Sequence, residues 1–385
     1  MKRKILLISI ILLKILNRFH VLKYFKYIPY YIMQTWVCPT KKRLTFDEAE
    51  KNLSEIHPDV KTSAICSNKI LKPSRYDLQV IIPVFNTEKY LDKCITSVLS
   101  QNTKYSFHLV IVNDGSTDNS ERILKKYEND NRITIISQKN TGLSGARNTA
   151  LSTIYARYIT FLDSDDLFAP DAIENLLNSA FKYDADIVEG SYMRRRDDGT
   201  LFGGEIIIDE GPCTIEKLKG YPWMKVIKAE MFEKIHFPLG YWFEDTIMGM
   251  LLFPMAKIVT HIKEVVYYYT YNTNSISFSS VNSSKSIDGI YITRALLRDA
   301  KNNGALDSAP EYQYHHFLQQ IRNNWARSIM LGPDVEMAMF YISCSLWEEY
   351  FSEKFNCKKN KLKRMELALK NKDFKLFRKT CFIDF

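Results

Sequence analysis

Three carboxylates stand together at Asp163, Asp165 and Asp166 in the stretch Tyr158–Pro170, YITFLDSDDLFAP. Directly ahead of them Ile159–Leu162 is apolar without a helical period, which reads as a buried strand stopped by the first aspartate. Carboxylates this close repel one another, and a cation among them relieves the repulsion. Hard divalent cations such as Mg2+ or Mn2+ take oxygen ligands and bridge one or two carboxylates to substrate phosphates. In open α/β sheets ligands bind beyond the carboxyl ends of the strands. The chemistry offered here is therefore a metal–diphosphate site. The plainer reading is an acidic loop that caps a helix starting at Pro170. Both readings stand at this point.

A second pair of acids, Glu244 and Asp245, follows Tyr241, Trp242 and Phe243 within Phe237–Met250, FPLGYWFEDTIMGM. A carboxylate beside large aromatic rings is partly desolvated, which raises its pKa and suits it to act as a base. Aromatic faces also stack on sugar rings. The plainer reading makes these two residues first-turn acids of a helix running through Met255, favoured by its dipole. The two readings are compatible.

The elements that must position these groups alternate. Leu78–Pro83 reads as a buried strand and Tyr90–Gln101 as a helix with Leu91, Ile95, Val98 and Leu99 on one face. Leu109–Val112 and Ile133–Ser137 read as strands, and Ser120–Tyr127 as a helix between them. Asn148–Tyr155 reads as the core of a helix entered through Gly142 and Gly145. The strand Ile159–Leu162, a helix Pro170–Tyr183 and a strand from Ile187 follow. Arg194–Gly199 with Gly203 and Gly204 suggests a hairpin, and Ile258–Ile262 and Val265–Tyr271 read as strands. Strands alternating with helices predict an α/β, doubly wound parallel sheet with right-handed crossovers.

The loops at the carboxyl ends of those strands carry the polar residues. Pro83, Phe85 and Asn86 follow the first strand, and Asp114–Ser120, DGSTDNS, the second. Asn140–Asn148, NTGLSGARN, leads into a helix. Asp114 is placed to accept from a base N–H, Gly142 and Gly145 to let backbone approach a ligand, and Arg147 to meet phosphate or ribose near a helix N-terminus. Singly, each has a plainer role: turn residue, N-cap or solvated helix charge. Four loops on one edge favour a nucleotide. No GxGxxG follows the first strand and no Walker A motif occurs, which disfavours a dinucleotide or P-loop site.

Composition is globular, with 46% hydrophobic and 25% charged residues in 385. Net charge is +9, which suits an anionic partner such as a phosphorylated substrate or acidic lipid. No nucleic-acid recognition module is present. The seven cysteines form no CxxC pair, so neither a zinc site nor a disulfide framework is expected, and a reducing, cytoplasmic compartment fits.

Four regions follow. Residues 1–36 are basic, apolar and aromatic. Their uninterrupted apolar run is shorter than the roughly 20 residues a membrane span needs. Interfacial membrane binding and packing on the domain weigh equally, and secretion is disfavoured for want of a cleavage site. Residues 37–77 read as a linker, 78–282 as the catalytic domain, and 283–385 as a mostly helical region ending in the basic tail Lys358–Lys379. That tail fits an anionic lipid surface or a solvated helix face.

With these motifs in hand the chain resembles the family 2 glycosyltransferases of GT-A fold. The resemblance rests on Val80–Gln101, Val110–Ser120, Asn140–Leu151, Tyr158–Asp166 and FEDTIM (Phe243–Met248), in the family's order, and covers about residues 78–278. It implies an inverting transfer of a sugar from a nucleotide diphosphate sugar, a UDP-sugar by similarity, to a glycan or lipid-linked acceptor hydroxyl. It also implies a role in cell-surface polysaccharide synthesis at the cytoplasmic face of the membrane. It places Pro83, Phe85 and Asn86 around the nucleoside, Asp114 on the base and Arg147 near ribose or diphosphate. Asp163 and Asp165 match the family's DxD pair, with Asp163 towards ribose and Asp165 on the Mn2+ or Mg2+. Asp245 matches the general base, and Asp166, Trp242 and Glu244 stand near the acceptor. Two departures matter. Thr270 and Asn272 stand where an Arg is common, so the diphosphate contact is either missing or supplied elsewhere, with Lys225 or Lys228 as candidates, and Thr149 replaces a Gly. The rivals are a sugar-1-phosphate nucleotidyltransferase, which lacks its Gly-rich basic loop here, and a catalytically inactive sugar-binding scaffold, against which the intact Asp163, Asp165 and Asp245 argue.

Overall fold

The computed structural model describes residues 43–67, 70–272, 283–351 and 360–383. The chain forms two compact units. One comprises Val60–Thr273 with Ala295–Tyr312, and the other Met1–Asp59, Asn274–Arg294 and Gln313–Phe385.

The first unit is built on one sheet. Its strands are β1 Ile70–Val84, β2 Phe107–Asn113, β3 Ile133–Ser137, β4 Thr153–Phe161, β5 Leu167–Phe168, β6 Ile187–Arg195, β7 Leu201–Glu205, β8 Gly211–Cys213, β9 Lys225–Lys228 and β10 Val259–Thr270. The order is β3-β2-β1-β4-β9-β6-β10-β5, with β7 on β6 and β8 on β10. β3, β2, β1 and β4 run parallel, as do β6 and β10, while β9 enters antiparallel between β4 and β6. The sheet is thus mostly parallel but mixed. The chain winds from β1 to β3 on one side and returns to place β4 on the other. This leaves a crevice beyond the carboxyl ends of β1 and β4, the position where such sheets bind ligands.

The apolar faces explain the layers. Leu91, Ile95 and Val98 of helix Leu91–Leu99, and Ile173, Leu176 and Leu177 of helix Ala172–Tyr183, pack on Leu78, Val80 and Ile82 of β1. The expected helix Asn148–Tyr155 is corrected: the helix runs from Gly142 to Leu151, and Thr153–Tyr155 belong to β4. These residues are β-branched or aromatic, and Thr153 and Ile154 pair with Ile70 and Leu71 of β1, so sheet pairing overrides the helical rhythm. Ile258–Ile262 and Val265–Tyr271 merge into the single strand β10, with register shifts near Val265. The stretch read as irregular holds helix Phe46–Ser54, which Thr45 and Glu48 close with a reciprocal capping box.

Lys225 and Lys228 are not diphosphate contacts. Lys225 lies opposite Glu189 across β9 and β6, and His261 lies opposite Glu189 on the other side. Lys225 Nζ sits 2.8 Å from Glu189, with both side chains fully buried. Burial lowers the Lys225 pKa against the pull of Glu189. Lys228 pairs with Asp184 at 3.2 Å.

In the second unit, helix Pro333–Tyr350 packs against Phe46–Ser54 and against the C-terminal helices Asn360–Lys370 and Phe374–Ile383. Met365, Leu369 and Phe377 are buried there, and the Phe377 ring lies 4.8 Å from that of Phe340. Much of the apolar side of these helices is therefore taken up by protein, while Leu367 stays 48% exposed.

A buried ion pair that loses one partner leaves a charge without compensation. Lys225→Met is expected to destabilise the protein by about 3–5 kcal/mol in urea unfolding, and adding Glu189→Gln should restore at least part of this. A double variant as unstable as the single one would show that the charge of Glu189 is not the cause.

Candidate active site

Asp114 directly follows β2 at the crevice, and its carboxylate accepts from Thr141 N (2.9 Å), Gly142 N (2.8 Å) and Gln138 Nε2 (2.7 Å). Those bonds fix the start of helix Gly142–Leu151. Gly142 has φ +80°, and a Cβ on Gly145 would fall 2.1 Å from Thr141 Oγ1. Gly145 therefore makes room for the Thr141 side chain, not for a ligand as expected.

Beyond β1, Phe85 is 48% exposed at the mouth of the crevice. Asn86 takes the left-handed conformation (φ 53°), and its Oδ1 accepts from Thr117 N at 2.7 Å, tying the first two loops together. Pro83 lies beyond the last residue that β1 pairs with β4, where a missing N–H removes no bond from that ladder.

Helix Gly142–Leu151 delivers Arg147 under this floor. The guanidinium is only 2% exposed, donates to Asp163 Oδ1 (2.9 Å) and Glu244 Oε1 (2.6 Å), and lies over the rings of Phe237 and Phe161 at 5.1 and 5.8 Å. Burial works to lower its pKa, but the Asp163 and Glu244 charges outweigh it and raise the pKa. Two acids far apart in sequence are thereby brought to one cation. Glu244 is raised, first by burial and also by the neighbouring Asp245, while Arg147 opposes the shift.

The aspartates take three different roles. Asp163 is bound to Arg147. Asp165 Oδ2 accepts from the Asn272 carboxamide at 3.2 Å, and burial followed by the charge of Asp163 raises its pKa. Asp166, expected near the acceptor, is buried; its oxygens accept from Tyr267 Oη (2.7 Å) and Thr270 N (2.6 Å). It is a bracket between the acidic loop and β10. Of the residues flagged as departures from the family pattern, Thr270 reaches the acidic loop through its backbone N–H and Asn272 through its side chain, whereas Thr149 donates to Gln138.

Trp242 stands edge-on to Phe243, with centroids 6.3 Å apart. Phe243 has φ 65°, a strained conformation for a bulky residue, directly before Glu244 and Asp245. These acids occupy the turn leading into the helix ending at Met255, whose Met248–Leu252 is a π-helical turn. Such turns concentrate at functional sites.

Among the described residues no group of three or more His, Cys, Asp or Glu is arranged to hold a metal unaided. The donor set nevertheless fits a hard cation. Asp165 is a half-buried carboxylate beside a second one, and its polar partner Asn272 is neutral, so positive charge there would relieve the raised pKa. Remaining ligands would come from substrate oxygens. Also among the described residues, no helix is long and apolar enough to cross a membrane.

The site thus combines a mostly parallel sheet with an antiparallel insertion, acidic loops at its carboxyl edge and the acid pair Glu244 and Asp245 in the turn after Phe243. The family model for glycosyl transferase family 2 matches residues 79–243. The chain is 34% identical over 218 residues to glycosyltransferase GlyA of Streptococcus pneumoniae, covering 52% of this chain and 31% of that protein. To glycosyltransferase GlyG of the same organism it is 30% identical over 220 residues, covering 52% and 72%. The chain belongs to glycosyl transferase family 2. It therefore spans less than a third of GlyA. Its fold also resembles S. aureus TarS 1–349, solved with UDP-GlcNAc, at a TM-score of 0.61 and 19% identity over 78% of this chain and 89% of that one.

Sequence reasoning did not anticipate the buried roles of Tyr267, Gln138 and Glu244 as partners of Asp166, Asp114 and Arg147. Nothing in local spacing marks them, since each lies on another element.

Asp166 serves two donors with two oxygens, and an amide offers only one acceptor oxygen. Asp166→Asn is expected to cost about 1–3 kcal/mol in denaturant unfolding, with part recovered by adding Tyr267→Phe. Unchanged stability in the single variant would exclude the bracket role.

Proposed function

We propose that the chain transfers a sugar, with inversion, from a UDP-sugar to a hydroxyl of a glycan or lipid-linked acceptor in polysaccharide synthesis, with a divalent cation as cofactor. The observation that carries this reading is Arg147, which bridges the Asp163 end of the donor loop to Glu244, next to Asp245. A donor site and a candidate base are thereby held on one rigid group.

In this reading Pro83, Phe85, Asn86 and Asp114 line the nucleoside pocket. Asp114 keeps little accepting capacity once it has fixed the Thr141–Gly142 backbone, so it would read a base through one remaining lone pair. Asp163 and Asp165 would hold the cation. Mg2+ or Mn2+ bound there would supply electrostatic stabilisation for charge gathering on the diphosphate. Asp245 takes the acceptor hydroxyl proton as that oxygen forms its bond to the anomeric carbon. The bond from that carbon to the diphosphate oxygen breaks on the opposite face, and nucleoside diphosphate departs. Arg147 is a positioning residue: it holds Asp163 and, through Glu244, the turn that carries Asp245. Membrane contact in this proposal rests on residues 1–36, which lie outside the described residues.

The test is turnover of a panel of nucleotide sugars with Mn2+ or EDTA. Release of UDP from one donor with Mn2+, abolished by EDTA and by Asp165→Ala, is the expected result. Asp245→Asn should lower transfer to acceptor about 10²–10⁴-fold. Turnover that persists in EDTA would overturn the metal role, and full activity in Asp245→Asn would move the base elsewhere.

A further inference from the structure

We propose that Tyr221 is the platform on which a sugar ring of the acceptor stacks, beside Asp245; this rests on the transferase reading above. Tyr221 ends a column of aromatic rings. Tyr267 donates from its hydroxyl to Asp166 (2.7 Å) and receives Asp163 N (3.3 Å), directly beneath the acidic loop. Trp223 lies on Tyr267 with centroids 4.6 Å apart and planes 20° apart. Tyr221 lies on Trp223 at 4.5 Å and 9°, close to parallel. Tyr192 abuts Trp223 edge-on at 5.1 Å. Trp223 is 6% exposed, whereas Tyr221 remains 39% exposed at the end of the column.

The ring is also held from behind. Lys225 Nζ donates to the carbonyls of Tyr221 (2.7 Å) and Trp223 (3.3 Å), and Glu189, its ion partner, accepts from Lys219 N at 2.9 Å. The fully buried Glu189–Lys225 pair thus clamps both ends of the loop that carries Tyr221. A ring used only to fill the core needs neither its exposure nor this clamp. A preorganised aromatic face, with one side fixed on Trp223, suits the apolar C–H face of a pyranose and loses little entropy on binding.

After burial, the charges of Tyr192, Asp245 and Glu205 raise the Tyr221 hydroxyl pKa, so the exposed end of the column lies within electrostatic reach of the candidate base. A ring stacked there would set the plane of the acceptor without fixing which hydroxyl it presents. Tyr221 is thus a positioning residue with a say in specificity.

The test uses the full chain with Mn2+ and the nucleotide sugar it turns over. The acceptors are methyl β-glycosides of glucose, galactose and their N-acetylated counterparts, with glycerol as a ringless control. Glycosides are expected to outperform glycerol. Tyr221→Ala should raise the glycoside KM roughly tenfold, the scale of one lost aromatic contact, and leave donor KM unchanged. Tyr221→Phe, which keeps the face and loses the hydroxyl, should match the parent. Glycerol accepted as well as glycosides, equal damage from Phe and Ala, or a rise in donor KM instead would each overturn the platform. An active parent whose glycoside KM ignores Tyr221→Ala sinks the platform alone. A parent that turns over no nucleotide sugar sinks the transferase reading and the platform with it.

Discussion

Taking a guanidinium out of water is costly unless charge and hydrogen bonds replace the lost hydration, and this site is arranged around one such group. Arg147 is nearly inaccessible, so two carboxylates and two aromatic faces must be present for it to stay there. They come from two stretches: Phe161, the last residue of β4, and Asp163 just beyond it from one, and Phe237 and Glu244 ahead of the π-helical segment from the other. The planar fork of arginine meets two acids at once, which a lysine ammonium on its flexible stem would not do with the same geometry. The consequence is positional. Two segments about eighty residues apart are held at hydrogen-bond distance by a group that no solvent fluctuation can screen.

Around that group the other acids divide into those spent on the protein and those left for chemistry. Asp114 is largely used by the backbone of Thr141 and Gly142, and Asp166 wholly by Tyr267 and Thr270. Glu189 is used by Lys225 and Lys219. These are supports, and they determine where the loops lie. Asp166 shows what this means energetically: burial, then the charges of Asp165 and Asp163, push its pKa well above the usual carboxylate range, with Thr270 and Tyr267 opposing. A loop of three acids is tolerated because Asp163 is paired with Arg147 and Asp166 is committed to Tyr267 and Thr270.

The sequence carried the parallel half of the sheet plainly. β1, β2 and β3 each show an apolar run closed by turn or polar residues, and the loops after β2 and β4 carry Asp114 and the acidic triplet in view. It did not carry β9, a four-residue strand that reverses direction between β4 and β6, because its position depends on the Glu189–Lys225 pairing across strands. Thr153–Tyr155 were misread for a related reason, since their fate is set by Ile70 and Leu71 about eighty residues away. Within the site, residue types at strand ends were legible, but their partners were not. Nothing local distinguishes Asp166 from Asp165; only the return of β10 past the loop does so.

That return also gives the Asn272 substitution a physical meaning. Arginine at this point of the chain would bring a full positive charge to Asp165 and neutralise it internally. Asn272 instead donates one neutral hydrogen bond to Oδ2, which orients the carboxylate without cancelling its charge. Asp165 then keeps both its unfavourable burial and its repulsion from Asp163. On the function proposed above, such a site would gain more from an added cation than one with its own arginine, since the Asn272 partner of Asp165 is neutral. On that same proposed function, the departure from the family pattern would shift work from a fixed side chain to the cation and phosphate oxygens that arrive with the substrate.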